Sequence, residues 1–134
     1  MSKRTFIVFG LFVVVLAVAI PWLAFSSRGD GDSGPREVAA NLKGGQALFE
    51  TNCGTCHTLA SAGTDGNYGP DLDELLAPQG PPTEASTIKA TEGRVLNAVE
   101  NGVDSSTPGR MPAGILNETQ TKEVAKFVAN TAGE

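Results

Sequence analysis

The chemistry of this sequence is concentrated in five consecutive residues, Cys53-Gly54-Thr55-Cys56-His57. Two thiols two residues apart, with an imidazole directly after the second, make the C-x-x-C-H arrangement. Such thiols can add across the two vinyl groups of a haem as thioethers, because the spacer matches the separation of the vinyls. His57 then reaches the iron from one face of the ring. Other uses of the pair fit less well. A zinc site needs two more good ligands, and the chain has only these two Cys and this one His. A thioredoxin-like dithiol expects a βαβ setting, which the pattern lacks. A structural disulfide is geometrically awkward at this spacing and leaves His57 idle. One covalent haem c is the expected cofactor.

The second axial ligand follows by inventory. Haem iron takes His, Met, Cys or Tyr from proteins. His57 is the only His, both Cys are committed, and Tyr68 is the only Tyr. Of the two Met, Met1 precedes an apolar run that places it in the cytoplasm, which leaves Met111. It lies in Thr107-Pro108-Gly109-Arg110-Met111-Pro112-Ala113-Gly114, a stiffly turned stretch. A lone Met more often fills a core gap, but the loop setting and the lack of rivals favour ligation.

Helices are expected to position these residues. Leu42, Leu48 and Phe49 share a helical face leading into Cys53. Thr91 reads as the cap of a helix with an apolar stripe of Val95, Leu96 and Val99, ended by Gly102. Asn117 with Gln120 resembles a capping box for a last helix bearing Val124, Phe127 and Val128. Asn117-Glu118-Thr119 also matches a glycosylation acceptor, though capping accounts for it better. Residues 77–90 read as loop, and no alternating strand is visible. The domain is expected to be all-α.

The run from Phe6 to Phe25 holds no charged residue and is long enough to cross a bilayer as a helix. Lys3 and Arg4 precede it; Asp30 and Asp32 follow, opposed only by Arg28. The positive-inside tendency then puts the N-terminus in the cytoplasm and the rest on the extracytoplasmic, periplasmic side of the cell membrane. Trp22 and Phe25 suit an interfacial aromatic anchor, and Pro21 falls in the last turn. A cleaved signal peptide is the competing reading, but its apolar region is about 7–15 residues. Ala17-Val18-Ala19, the small-x-small candidate, lies inside the run. The expected organisation is a cytoplasmic end at 1–5, a transmembrane anchor at 6–25 in the lipid bilayer, a flexible linker at 26–40 and a domain at 41–134. A linker of that length spans on the order of 20 Å.

Net charge is −5, which argues against nucleic acid. From residue 41 onward six basic side chains meet twelve acidic ones, and Asp65, Asp71, Asp73 and Glu74 cluster beyond His57. Solubility accounts for much of this. The sharper expectation is that the segment steers a partner with a basic docking face.

At these residues the chain resembles class I c-type cytochromes, especially small bacterial monohaem ones, over about Asn41 to Ala132. Gly45 and Phe49 precede Cys53 at the family's spacing. The resemblance implies that Gly45 lets the first helix cross the last closely, with Phe127 at the crossing. Gly69-Pro70-Asp71-Leu72 looks like the family's G-P-x-L element. By resemblance the Pro70 carbonyl accepts the other ring N–H of His57, and Leu72 packs on the haem. Arg110-Met111-Pro112 looks like the ligand loop. The chain departs from many relatives in having no Trp inside the domain to hold a haem propionate, since its only Trp is Trp22. Lys89, Arg94 and Arg110 are the candidates left.

The expected fold is a class I cytochrome c fold around one covalent haem, preceded by a single transmembrane helix. Ligands on both faces of the iron leave no open position for substrate, so the expected role is an electron carrier between membrane redox complexes of a respiratory or photosynthetic chain, rather than an enzyme. Alternatives are a fixed haem subunit of a larger membrane oxidoreductase, and a haem sensor or peroxidase-like protein in which Met111 leaves the iron.

Overall fold

The structure, a computed structural model, describes residues 3–26, 34–104 and 109–134, with side chains in the first stretch described from residue 7 to 22. The expectations for most of the linker, for the Lys3, Arg4 and Phe25 side chains, and for Thr107 and Pro108 lie outside the described residues. The chain divides into two compact units, Met1–Asp32 and Ser33–Glu134.

The first unit is one helix, α1 (Lys3–Ser26). Its described side chains are apolar on every face and largely exposed, from Leu16 at 40% to Trp22 at 68%. Among the described residues no helix is long and apolar enough to cross a membrane. The stretch with described side chains, 7–22, covers only about 24 Å at 1.5 Å per residue, against roughly 30 Å of hydrocarbon.

The second unit is built on three longer helices, α2 (Lys43–Asn52), α4 (Ala85–Asn101) and α5 (Glu118–Thr131), with the short α3 (Leu72–Leu76) between the first two. Helix α5 packs against both α2 and α4. Its start is the expected capping box: Asn117 Oδ1 accepts from Gln120 N at 3.0 Å, and Gln120 Oε1 accepts from Asn117 N at 3.2 Å. Its apolar stripe of Val124, Phe127 and Val128 is buried.

The α2–α5 crossing is close because Gly45 has no side chain. A Cβ there would run into the Glu123 carbonyl oxygen and come within 2.6 Å of Phe127 Cβ. Phe49 and Phe127, both fully buried, meet with ring centroids 6.1 Å apart and tilted by 59°, within the favourable range for aromatic pairs. Polar groups in this core are paired. Gln46 donates through Nε2 to the carbonyls of Arg36 at 2.8 Å and Ser61 at 2.9 Å. Ser61 Oγ donates to Thr131 Oγ1 at 2.8 Å.

Two expectations need correction. Helix α4 begins at Ala85, not at Thr91, which is buried within it. Its first residue follows Glu84, whose side chain makes no capping bond, so Ser and Thr in this segment read as loop. Packing along α5 outweighs those weak preferences. The domain is also not purely helical. Strands β1 (Thr58–Leu59) and β2 (Thr64–Asp65) pair antiparallel around a 3-10 turn at Ala60–Ala62, with Gly63 at φ 61°. Two-residue strands are too short to leave an alternating pattern.

Candidate functional site

A cavity of about 1000 Å³ opens among α2, α3, α4, α5 and the Met111 loop, at the upper end of the usual small-molecule range of roughly 300–1,000 Å³. Its walls are mainly apolar, with Leu72, Leu76, Val95, Val99, Val124 and Val128 contributed by three helices.

The thiols enter this cavity because α2 unwinds in tight turns rather than stopping. Cys53 N donates to Phe49 O at 2.8 Å, and the N–H groups of Cys56 and His57 both donate to Cys53 O at 3.0 Å. Winding of this kind keeps Cys53, Cys56 and His57 on the cavity side, and all three line it. Burial, with the neighbouring Cys56 second, pushes the Cys53 thiol up to about 11. An unattached Cys53 is therefore a neutral thiol at neutral pH, not a ready nucleophile.

The imidazole is held in one tautomer. His57 Nδ1 lies 2.9 Å from Pro70 O. A carbonyl can only accept, so Nδ1 carries the proton and Nε2 keeps its lone pair for a metal. The Pro70 segment reaches the ring because Gly69 intervenes: a Cβ there would stand 2.5 Å from His57 Cε1. Gly69 N also donates to Cys56 O at 2.7 Å. From the other side, Thr64 Oγ1 donates to His57 O at 3.0 Å, so the β1–β2 hairpin braces the motif.

Met111 is fixed by the end of α4. Val103 N donates to Met111 O at 3.0 Å, and Met111 N donates to Val103 O at 3.1 Å. Gly102, with φ 70°, caps α4 and makes this return possible. Gly114 N adds a bond to Val99 O at 3.0 Å. Met111 is thereby placed in the cavity wall.

Cys53, Cys56, His57, Pro70, Leu72 and Met111 thus all line one cavity. Of the three basic candidates, Arg94 and Arg110 line it and Lys89 does not. Sequence reasoning missed Tyr68, which also lines it and packs against Gly109 of the Met111 loop. Its place two residues before Pro70 was the available signal. The amides of Asn52, Asn67 and Asn97 went unread because isolated Asn residues carry no pattern.

Asp73, taken from sequence as part of an acidic docking segment, faces inward. Its Oδ2 accepts from Ala60 N at 2.8 Å and its Oδ1 from Gly133 N at 2.6 Å. Asp71 caps α3, its Oδ1 accepting from the N–H groups of Asp73 at 2.9 Å and Glu74 at 3.3 Å. Both carboxylates satisfy backbone donors, so each has a structural role besides its charge.

The donor set suits a haem. Two thiols, one imidazole with Nε2 free and one thioether border a mainly apolar space.

Comparison with known proteins agrees. The cytochrome c family matches residues 42–132. A cbb3-type cytochrome c oxidase subunit FixPc of Rhizobium leguminosarum bv. viciae is 29% identical over 102 residues, 74% of this chain and 32% of that protein. The photosystem II extrinsic protein V of Prochlorococcus marinus (strain MIT 9303) is 32% identical over 72 residues, 52% of this chain and 42% of that protein. The chain thus spans less than half the length of these relatives. Among solved structures, the c-type cytochrome SorU of Sinorhizobium meliloti is similar at a TM-score of 0.50 and 33% identity, covering 70% of this chain and 93% of that one. The site's donors and the match over residues 42–132 lead to one family: the chain belongs to the cytochrome c family, with a covalently bound haem c and electron transfer as its chemistry.

Proposed function

We propose that this chain is a membrane-tethered monohaem cytochrome that passes single electrons between membrane redox partners. Cys53 and Cys56 would hold the haem as thioethers, and His57 and Met111 would ligate its iron. The observation that carries this reading is the convergence of those four side chains on one apolar cavity, with His57 Nδ1 committed to Pro70.

The haem supplies the one-electron couple. The protein's part is to hold its ligands still and keep water out. Pro70 orients His57 and raises its basicity as a ligand. The Val103–Met111 bridge holds the thioether, which raises the potential relative to a second His. Leu72 and its apolar neighbours lower the local dielectric. With His57 and Met111 both bound to the iron, no coordination position would be left for a substrate.

The tether is argued from the sequence, in which the span 6–25 carries no charge and has the length a bilayer helix needs. The linker is then shorter than 26–40, because Arg36 bonds to Ser61 and Gln46 and Val38 is buried in the core of the haem domain; that domain lies on the extracytoplasmic side.

Substituting Met111→Ala tests the ligand assignment. Haem should stay attached, the midpoint potential should fall, and the long-wavelength ferric band of sulfur ligation should disappear. An unchanged spectrum would give the sixth position to another group, with Tyr68 the first to examine.

Likeness to the FixPc oxidase subunit favours a second reading, a fixed subunit of a membrane oxidoreductase. Co-purification of other redox subunits in mild detergent would select it over a free tethered shuttle.

A further inference from the structure

The cavity wall is charged in only one sense. The domain is acidic overall, yet among the described residues the wall contains no Asp, Glu or Lys. It contains Arg94, from α4, and Arg110, beside Met111. These are two of the three arginines beyond residue 33. A wall that admits guanidinium groups and no carboxylate matches an occupant that brings its own acid groups.

The two arginines are not equivalent. Arg110 Nε is bonded to Asp104 Oδ1 at 2.8 Å, so its guanidinium is turned to a carboxylate of the chain's own. Arg94 forms no ion pair among the described residues. It lines the cavity and is also solvent-exposed.

We propose that Arg94 is the principal partner of the haem propionates and that Asp104 withholds Arg110 from the same role. This takes the place of the missing Trp, and it rests on the haem assignment above. It has a consequence of definite sign. A cation beside the haem favours the ferrous state, which carries less positive charge, and so raises the midpoint potential. Arg94→Gln should lower it. Asp104→Asn, which removes an anion and releases Arg110, should raise it. Arg94→Lys keeps the charge and should restore most of the loss, although it cannot bind bidentately.

The experiment is an optical redox titration of the full-length holoprotein and these three variants in detergent at fixed pH and low salt. The Met–iron band is followed throughout, so that a ligand change is not mistaken for a charge effect. A lower potential in R94Q, rescue in R94K and a higher potential in D104N, all with the band intact, support the proposal. An unchanged potential in R94Q overturns it. Should R94Q fail to mature, D104N decides, and a potential unchanged or lowered there is the contrary result. Failure of the haem assignment itself would look different, since the wild-type chain would then carry no covalent haem.

Discussion

Single residues decide whether this site works, and several of them act through backbone atoms rather than side chains. The Pro70 carbonyl fixes the His57 tautomer at a distance of 2.9 Å. Asp73 does comparable work at a distance. It joins the turn after the Cys-His motif to the C-terminus by accepting from Ala60 N and Gly133 N. Hydrogen bonds to a charged acceptor contribute about 1.5–3 kcal/mol each. Asp73→Asn replaces one acceptor oxygen by a donor that faces an N–H, so a loss of about 2–3 kcal/mol is expected from urea unfolding of the holoprotein. A loss below about 0.5 kcal/mol, the range of ordinary surface changes, would return Asp73 to the solvated surface. The motif was fully legible in sequence because every position in it has its own chemistry. Asp73 was not, because an acidic side chain turned inward has the same letter as one facing water.

At the scale of elements, the molecule is a set of crossings that hold the cavity open. Helix α5 was legible from its capping box and its 3.6-residue stripe. Helix α4 was legible only in its second half. Its first turns lack a side-chain cap and were read as loop. The hairpin between β1 and β2 was invisible for want of length. The α2–α5 crossing gives the sharpest test of packing. Ala is favoured over Gly in a helix by about 1 kcal/mol, so an isolated helix would gain from Gly45→Ala. Here the new Cβ meets the Glu123 carbonyl and Phe127, and overpacking costs about 1–3 kcal/mol. The variant should be less stable by about 1 kcal/mol or more, read as a shift in the denaturation midpoint at constant slope. A stabilised variant would mean that the helices do not cross at this distance.

For the whole molecule, the relevant features are a charge-free N-terminal run and an acidic domain. The run's composition was plain in sequence. If it anchors the chain, intact mass of the protein extracted from membranes will show residues before Ser26 still present. A mature chain starting in the linker would refute the anchor and leave the cytochrome untouched. The steering argument changes once the structure is known. With Asp71 and Asp73 committed to backbone donors, Asp65 and Glu74 are the exposed acids of that segment. With the domain cut free within the linker, its second-order electron-transfer rate with a basic partner should fall as salt rises, because screening acts over about 8–10 Å. Asp65→Asn with Glu74→Gln should flatten that dependence. A rate indifferent to salt would leave these acids a solubility role alone.

The account depends above all on covalent haem at Cys53 and Cys56. The direct measurement is the intact mass of the denatured polypeptide after acid–acetone extraction, for the wild type and for a Cys53→Ala, Cys56→Ala double variant. The account predicts a wild-type chain heavier by one haem and a double variant without that increment. A wild-type chain at the mass of the bare polypeptide, with the haem in the acetone layer, would contradict it.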